Sequence, residues 1–284
     1  KASRSSPRKP ADLLVGGVYV RHFVASPQEL PKVEAGRFLT QLLAALRHEL
    51  VFHLNLPATL GQRSGTKAAE VRTAEANRHD MWCAISAIFD ADSSRTVAPA
   101  CLAAESFLFH ALRATLRLET QTAILKVLDT LCRAAPFAER IRGASVLWLL
   151  ERSVRTPALA CRGLEVFAAA LESGGSALLQ RSVGAGCLLL QLWLLIGEEV
   201  PRDARLAAAR MLLGMVADSV YGAAVSEAVC AILTPSFRSS LERGDIAKLI
   251  AFCDAPHACG KRTWDAATLR ALRVRLAKEA AIIL

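Results

Sequence analysis

Cys253, His257 and Cys259 come nearest, by type and spacing, to a metal site, because thiolate and imidazole are zinc's preferred ligands. A closed structural site needs four such ligands, and no second Cys or His pair lies nearby in the sequence. The stretch therefore reads as a loop ending a helix, with Cys253 buried as a small apolar residue. His48, Glu49 and His53 brush against the zinc-protease pattern, in which two histidines four residues apart share a helix face. Here they stand five apart, about 140° around a helix of 3.6 residues per turn, so a surface helix is the better reading. No metal and no cofactor is expected.

Nucleophilic chemistry finds no footing either. There is no Gly-x-Ser-x-Gly elbow and no phosphate-cradling glycine loop ending in Lys-Ser/Thr. Cys161 and Cys187 sit in apolar helical patterns, where a thiol is unreactive rather than activated. Glu198 and Glu199 fall in a turn before Pro201, where a solvated carboxylate is the default. The eight cysteines are mostly scattered singly through helical segments, a usage that fits a reducing cytosol. An enzyme is not expected.

Charge gathers at the end of the chain. Leu269, Leu272 and Leu276 make an apolar stripe, with Arg270, Arg273, Arg275 and Lys278 largely off it and Lys261 and Arg262 before it. The plain reading is the solvated face of a capping helix, since terminal repeats need a polar outer side. The functional reading is a patch for an acidic protein, anionic lipid or RNA. Nucleic acid is the weaker choice, because no aromatic residues for base stacking are interleaved with these charges.

The elements that would position all of these residues are repetitive. From Gln121 to Asp218 one unit of about forty residues is written twice. The first copy reads Ile141-Arg142-Gly143-Ala144, an apolar run from Val146 to Leu150, a turn with Pro157, and a helical pattern through Leu159, Leu164, Phe167 and Leu171. The second reads Ser182-Val183-Gly184-Ala185, Cys187 to Leu190, a turn with Pro201, and Leu206, Met211, Leu212 and Met215. Gly143 aligns with Gly184 and Pro157 with Pro201, within the ~40–47 residues of armadillo and HEAT units. Such a unit cannot cover its apolar face alone and must stack on its neighbours. An all-α, armadillo/HEAT-like α-solenoid is therefore expected, with a short N-terminal β-strand or hairpin.

Composition agrees. The 284 residues are 53% apolar but only 6% aromatic, and the helix formers Ala, Leu, Arg and Glu dominate. Residues 1–11 read as a flexible basic linker, and the first ten hold four of the nine net positive charges. Residues 12–284 read as a single helical-repeat domain. Leu13 to Val24 is the one extended stretch, built around Gly16-Gly17 and ended by Pro27 and Pro31. Phe38, Leu39, Leu42, Leu43, Leu46 and Leu50 then mark the first helix. A loop follows over Asn55–Gly65, then helices over roughly 76–89, 99–116 and 120–132. After the repeats, helices are expected from about Tyr221, Ser239 and Trp264. Gly174-Gly175 reads as a helix stop. The longest apolar run, Val183 to Ile196, is too short to span a bilayer and reads as a buried helix. The first residue is lysine rather than methionine, which points to a piece of a longer protein, and no signal-peptide pattern stands at the start.

Two places carry a family resemblance. Val15-Gly16-Gly17-Val18-Tyr19-Val20-Arg21-His22-Phe23, followed by Pro27 and Phe38-Leu39-x-x-Leu42-Leu43, is one; Leu233-x-Pro235-x-Phe237 with Trp264-Asp265 is the other. Together they resemble the C-terminal part of the large endosomal DnaJ proteins of the receptor-mediated-endocytosis-8 type, over about residues 12 to 270. The family's proline before the Phe38 position is replaced by Ala35, and residues before Trp264 are altered. The resemblance implies a helical scaffold on the cytosolic face of endosomes, at most peripheral to the membrane. It implies partners in the Hsc70 chaperone, sorting nexins and the WASH complex. The family's chaperone stimulation needs a His-Pro-Asp triplet in a J domain; Arg78-His79-Asp80 lacks the proline, so that job would fall outside this segment. In the resemblance Gly16, Gly17, Tyr19, Arg21, Phe23, Phe38, Pro235, Phe237 and Trp264 are structural.

The alternative is an unrelated armadillo/HEAT adaptor that binds an acidic protein or RNA through its arginines. Importin-type grooves grip peptides with ladders of Asn and Trp. Asn55 and Asn77 both precede the repeats, and Trp148 and Trp193 stand five and nine residues after their glycines. Binding of nuclear signals is therefore disfavoured, and both tryptophans read as core.

Overall fold

The computed structural model describes residues 12–54, 65–196, 200–216, 218–222 and 225. These are mostly helical, with one small antiparallel sheet of two strands. They fall into two compact units that divide between Leu131 and Cys132. The expectations for the linker over 1–11, for the loop up to residue 64 and for the helices after Tyr221 lie outside the described residues.

A two-residue hairpin turn that follows the strands' right-handed twist needs positive φ at both central positions, which glycine supplies without steric cost. Gly16 and Gly17 have φ of 57° and 82°. They join β1 (Leu14–Val15) to β2 (Val18–Tyr19), with Leu14 opposite Tyr19 and Val15 opposite Val18. The extended backbone stops there. Val20–Ala25 forms a helix, α1, which corrects the expectation of a strand-like stretch to Val24. The first turn of any helix has backbone donors with no partner inside the helix, and here the folded-back hairpin provides acceptors. Val20 N–H donates to the Leu13 carbonyl at 2.9 Å. Arg21 and His22 N–H donate to the two carboxylate oxygens of Asp12 at 2.9 and 3.1 Å.

The rest of the first unit is α2 (Lys32–Leu54), α3 (Gly65–Ala91), α4 (Pro99–Ala103), α5 (Glu105–Ala114) and α6 (Leu118–Cys132). α1 and α2 both pack against α3. The apolar stripe of α2 is buried from Phe38 through Leu39, Leu42 and Leu43 to Leu46, and Trp82, Ile85 and Phe89 of α3 are buried as well. α3 begins eleven residues before its expected start. Residues 65–75 hold good helix formers such as Ala, Glu, Lys and Arg but no apolar periodicity, so propensity rather than pattern sustains them. The single helix expected over 99–116 is two, separated at Ala104 (φ −93°, ψ 0°). Neither glycine nor proline announces that break. Between α5 and α6 the chain is held by buried Gln121, whose Nε2 donates to the Thr115 carbonyl at 2.6 Å.

The second unit contains α7 (Ala135–Ala138), α8 (Gly143–Arg155), α9 (Ala160–Gly184), α10 (Cys187–Ile196) and α11 (Arg202–Val216). Pro157 opens a one-turn 3-10 segment before α9, and Pro201 precedes α11, the position where proline's missing N–H costs least. α8 packs on α9 and α10 on α11, while α10 also packs on α8 and α11 on α9. Each helix of the first copy thus lies against its counterpart in the second. Polar contacts keep the same interval. Ser173 Oγ donates to the Arg133 carbonyl, Arg181 Nη2 to the Glu139 carbonyl, Tyr221 Oη to Gln180 Oε1 and Ser176 Oγ to Asp218 Oδ2, at separations of 40, 42, 41 and 42 residues.

The glycine alignment of the two copies is corrected by these elements. Gly143 opens α8, but the residue that opens α10 is Cys187, whereas Gly184 ends α9. Gly143 lies so close to the Arg181 carbonyl oxygen that a Cβ there would overlap it, while a Cβ at Gly184 would meet nothing. The stop expected at Gly174-Gly175 is present within α9: the chain leaves helical geometry at Gly175 (φ 57°, ψ −157°), where two helical segments meet across a kink. The apolar run to Ile196 is divided between the end of α9 and α10, where Cys187, Leu188, Leu192 and Leu194 are buried. Gln191, buried among them, donates its Nε2 to Met211 Sδ at 3.0 Å. Trp148 is only half-buried, not the fully enclosed core residue expected. No described helix is long and apolar enough to cross a membrane.

Candidate functional site

The N-terminal motif residues are held together by contacts that explain their types. Phe23 of α1 and Phe38 of α2 meet edge to face, with centroids 5.0 Å apart and planes at 77°, the arrangement aromatic quadrupoles favour. Arg21 Nε donates to Asp80 Oδ2 at 2.6 Å, tying α1 to α3. Gly16 abuts the side-chain oxygen of Gln41 so closely that a Cβ would overlap it. Tyr19 is not drawn into this cluster; it and its cross-strand neighbour Leu14 are each 54% exposed. Asp12 and Asp80 complete the arrangement and were missed in the sequence. An aspartate eight residues before a helix carries no capping pattern, and in the sequence Asp80 reads only as part of the Arg78-His79-Asp80 triplet. Pro235, Phe237 and Trp264 lie outside the described residues. So do Lys261, Arg262, Arg270, Arg273, Arg275 and Lys278, together with Cys253, His257 and Cys259.

Reactive pairs can be judged from their surroundings. Cys83 Sγ lies 3.6 Å from His79 Nε2, one turn apart on α3, which is the spacing of a thiol and its base. Burial and the nearby Asp80 carboxylate push the Cys83 thiol up, against the opposing pull of Lys126. A thiol held protonated is a poor nucleophile. Burial pushes the thiols of Cys101 and Cys187 up to about 12, and that of Cys161 is raised by burial and by Glu165 and Asp203. Glu49 is half-buried beside Arg78, its Oε2 3.9 Å from the guanidinium Nε. Burial raises its pKa despite Arg78 and His48, which pull it down. His48 is exposed; the side chain of His53 lies outside the described residues. Among the described residues no group of three or more His, Cys, Asp and Glu could hold a metal ion.

What the second unit offers instead is a groove of about 270 Å³ along α9 and α11. Leu171 and Leu179 from α9 and Met211 and Met215 from α11 form its apolar wall, and Gly175, at the kink of α9, also lines it. Glu172 and Asp218 contribute carboxylates. Asp218 also caps the turn that follows α11, accepting N–H from Val220 and Tyr221 at 2.9 and 2.8 Å and the Ser176 hydroxyl at 2.7 Å. Burial raises its pKa, but the bonds from Tyr221, Ser176 and Val220 outweigh it and hold the carboxyl below its ordinary value. No protein-family model, no curated protein and no solved structure matches the chain.

Chemically, the groove can receive apolar side chains and pair with a cation. Among its described lining residues there is no base beside a nucleophile and no cluster of donors aimed at one point.

Proposed function

We propose that the chain is an armadillo/HEAT-type α-solenoid segment with no catalytic role, belonging to an endosomal DnaJ co-chaperone. In this reading it offers protein partners a helical surface during endosomal sorting. The observation that carries it is the layering of the second unit, where counterpart helices pack on each other and polar contacts recur at 40 to 42 residues. In a solenoid each unit touches only its neighbours, and its side chains face the next unit at the repeat interval. The Gly16-Gly17 hairpin, the Arg21–Asp80 pair and the Phe23–Phe38 contact give the family-like residues structural work at the start of the chain.

On this proposal the segment sits on the cytosolic face of endosomes as a peripheral component and meets sorting nexins and the WASH complex. Hsc70 is engaged by a J domain elsewhere in the protein. Reading the full-length transcript tests the family assignment: a His-Pro-Asp-bearing J domain should be encoded upstream, and its absence would remove the DnaJ part. The scaffold part is tested by cross-linking mass spectrometry on tagged chain in cells. Cross-links to sorting nexins or WASH subunits are expected, and cross-links confined to unrelated proteins would overturn it.

A further inference from the structure

We infer that the α9–α11 groove is a docking site for a protein segment that inserts an apolar side chain and carries Lys or Arg beside it. This deepens the scaffold reading and rests on it. The groove's roughly 270 Å³ is below the ~300–1,000 Å³ of sites that enclose a small molecule, so it suits one or two inserted side chains. Two of its walls are methionines, whose unbranched, polarizable side chains adapt to apolar groups of differing shape.

Charge decides what stands beside the inserted group. The described lining residues include two carboxylates, Glu172 and Asp218, and no basic residue. Asp218 is kept ionised by its hydrogen bonds. Beyond the groove the same helices are mixed in charge: Glu165 of α9 and Asp203 of α11 both act on Cys161, Arg162 lies 3.4 Å from Glu165, and α11 also carries Arg202, Arg205 and Arg210. The chain as a whole is +9, so this groove reverses the sign of the molecule that surrounds it. Complementary charge selects partners, and like charge rejects them. A nucleic-acid backbone or an acidic peptide would bring its anions against Glu172 and Asp218. A cation flanking an apolar side chain meets them favourably. Such a site needs no Asn or Trp ladder, because insertion and ion pairing replace main-chain gripping.

A phage-displayed library of random 12-residue peptides, panned on the purified chain, is the test. Enriched sequences are expected to carry an apolar residue next to Lys or Arg. Their affinity should fall about tenfold or more in Ala168→Trp, which fills the groove from an exposed position of α9. Glu172→Lys, also exposed, should weaken them by roughly threefold or more at low salt, and less as salt is raised. Circular dichroism melts of both variants should match the parent. No enrichment, enrichment of acidic peptides, or binding unchanged in Ala168→Trp would overturn the inference. So would self-association in sedimentation that Glu172→Lys abolishes, which would give the groove to a second copy. Loss of the groove site with sorting-nexin cross-links intact would sink this inference alone and leave the scaffold reading standing.

Discussion

Asp12 and the start of α1 show how much one carboxylate can do at the residue scale. Its two oxygens take the N–H groups of Arg21 and His22, nine and ten residues on, so it fills the role of a helix N-cap from outside the helix. Replacing a capping side chain by alanine costs about 1 kcal/mol, and a residue that keeps an acceptor recovers much of it. Asp12→Ala should therefore lower unfolding stability by about 1 kcal/mol, with Asp12→Asn in between, measured by urea denaturation. Asp218 predicts a pH effect of definite sign. Its folded-state pKa lies below the ordinary 3.8, so the carboxylate contributes stability above about that pH, and the contribution is lost as pH falls through the folded value. Asp218→Asn should be less stable than the parent at pH 7. The gap should close in acid, because a protonated aspartate and an asparagine then make similar bonds. A gap that stays constant down to pH 2 would contradict that account.

At the scale of elements, two glycines that look equivalent in the sequence have opposite duties. Gly143 opens α8 against the Arg181 carbonyl, and an added Cβ would overlap that oxygen and crowd Ala185. Relief needs backbone movement between layers, and overpacking of this kind costs about 1–3 kcal/mol. Gly184 ends α9 with open space around it, and alanine there is neutral or stabilising by up to about 1 kcal/mol. Gly143→Ala should lower the melting temperature clearly, and Gly184→Ala should leave it level or raise it. The pair also shows what was legible in the sequence. Apolar periodicity located the helix around Phe38 to Leu46, because burial of one helix face writes itself into residue type. The Gly16-Gly17 pair announced a turn for the same kind of local reason. The register of the two copies was not legible, since it is fixed by where α8 and α10 begin and not by a shared glycine. The helical fate of Val20–Ala25 was hidden because its cap comes from Asp12, and the groove was hidden because its walls come from helices that only folding brings together. Asp80, fifty-nine residues from Arg21, is a contact of the same sort.

At the scale of the whole molecule, the layering makes a claim about deletion. If each layer rests only on its neighbours, removing one complete layer should let the flanking helices meet in the same register, whereas removing half a layer should set unlike faces together. The helix starts define the length, since α8 opens at Gly143 and α10 at Cys187. An in-frame deletion of residues 143–186 joins Arg142 directly to Cys187, so that α10 takes the place of α8 and α11 that of α9. That variant loses the interface between two layers and should melt at a lower temperature, yet it should keep helical circular dichroism and a cooperative transition. Deleting only residues 143–164 removes α8 with the start of α9 and leaves the remainder of α9 without its partner α8, while α11 still rests on it. It should lose the cooperative transition altogether. The comparison separates a repeated stack from a globular helical core, in which every helix contacts several others distant in sequence and a whole-layer deletion is no gentler than a partial one. Equal loss of cooperativity in both variants would therefore remove the solenoid, and with it the premise that partners read this chain along a repeated face.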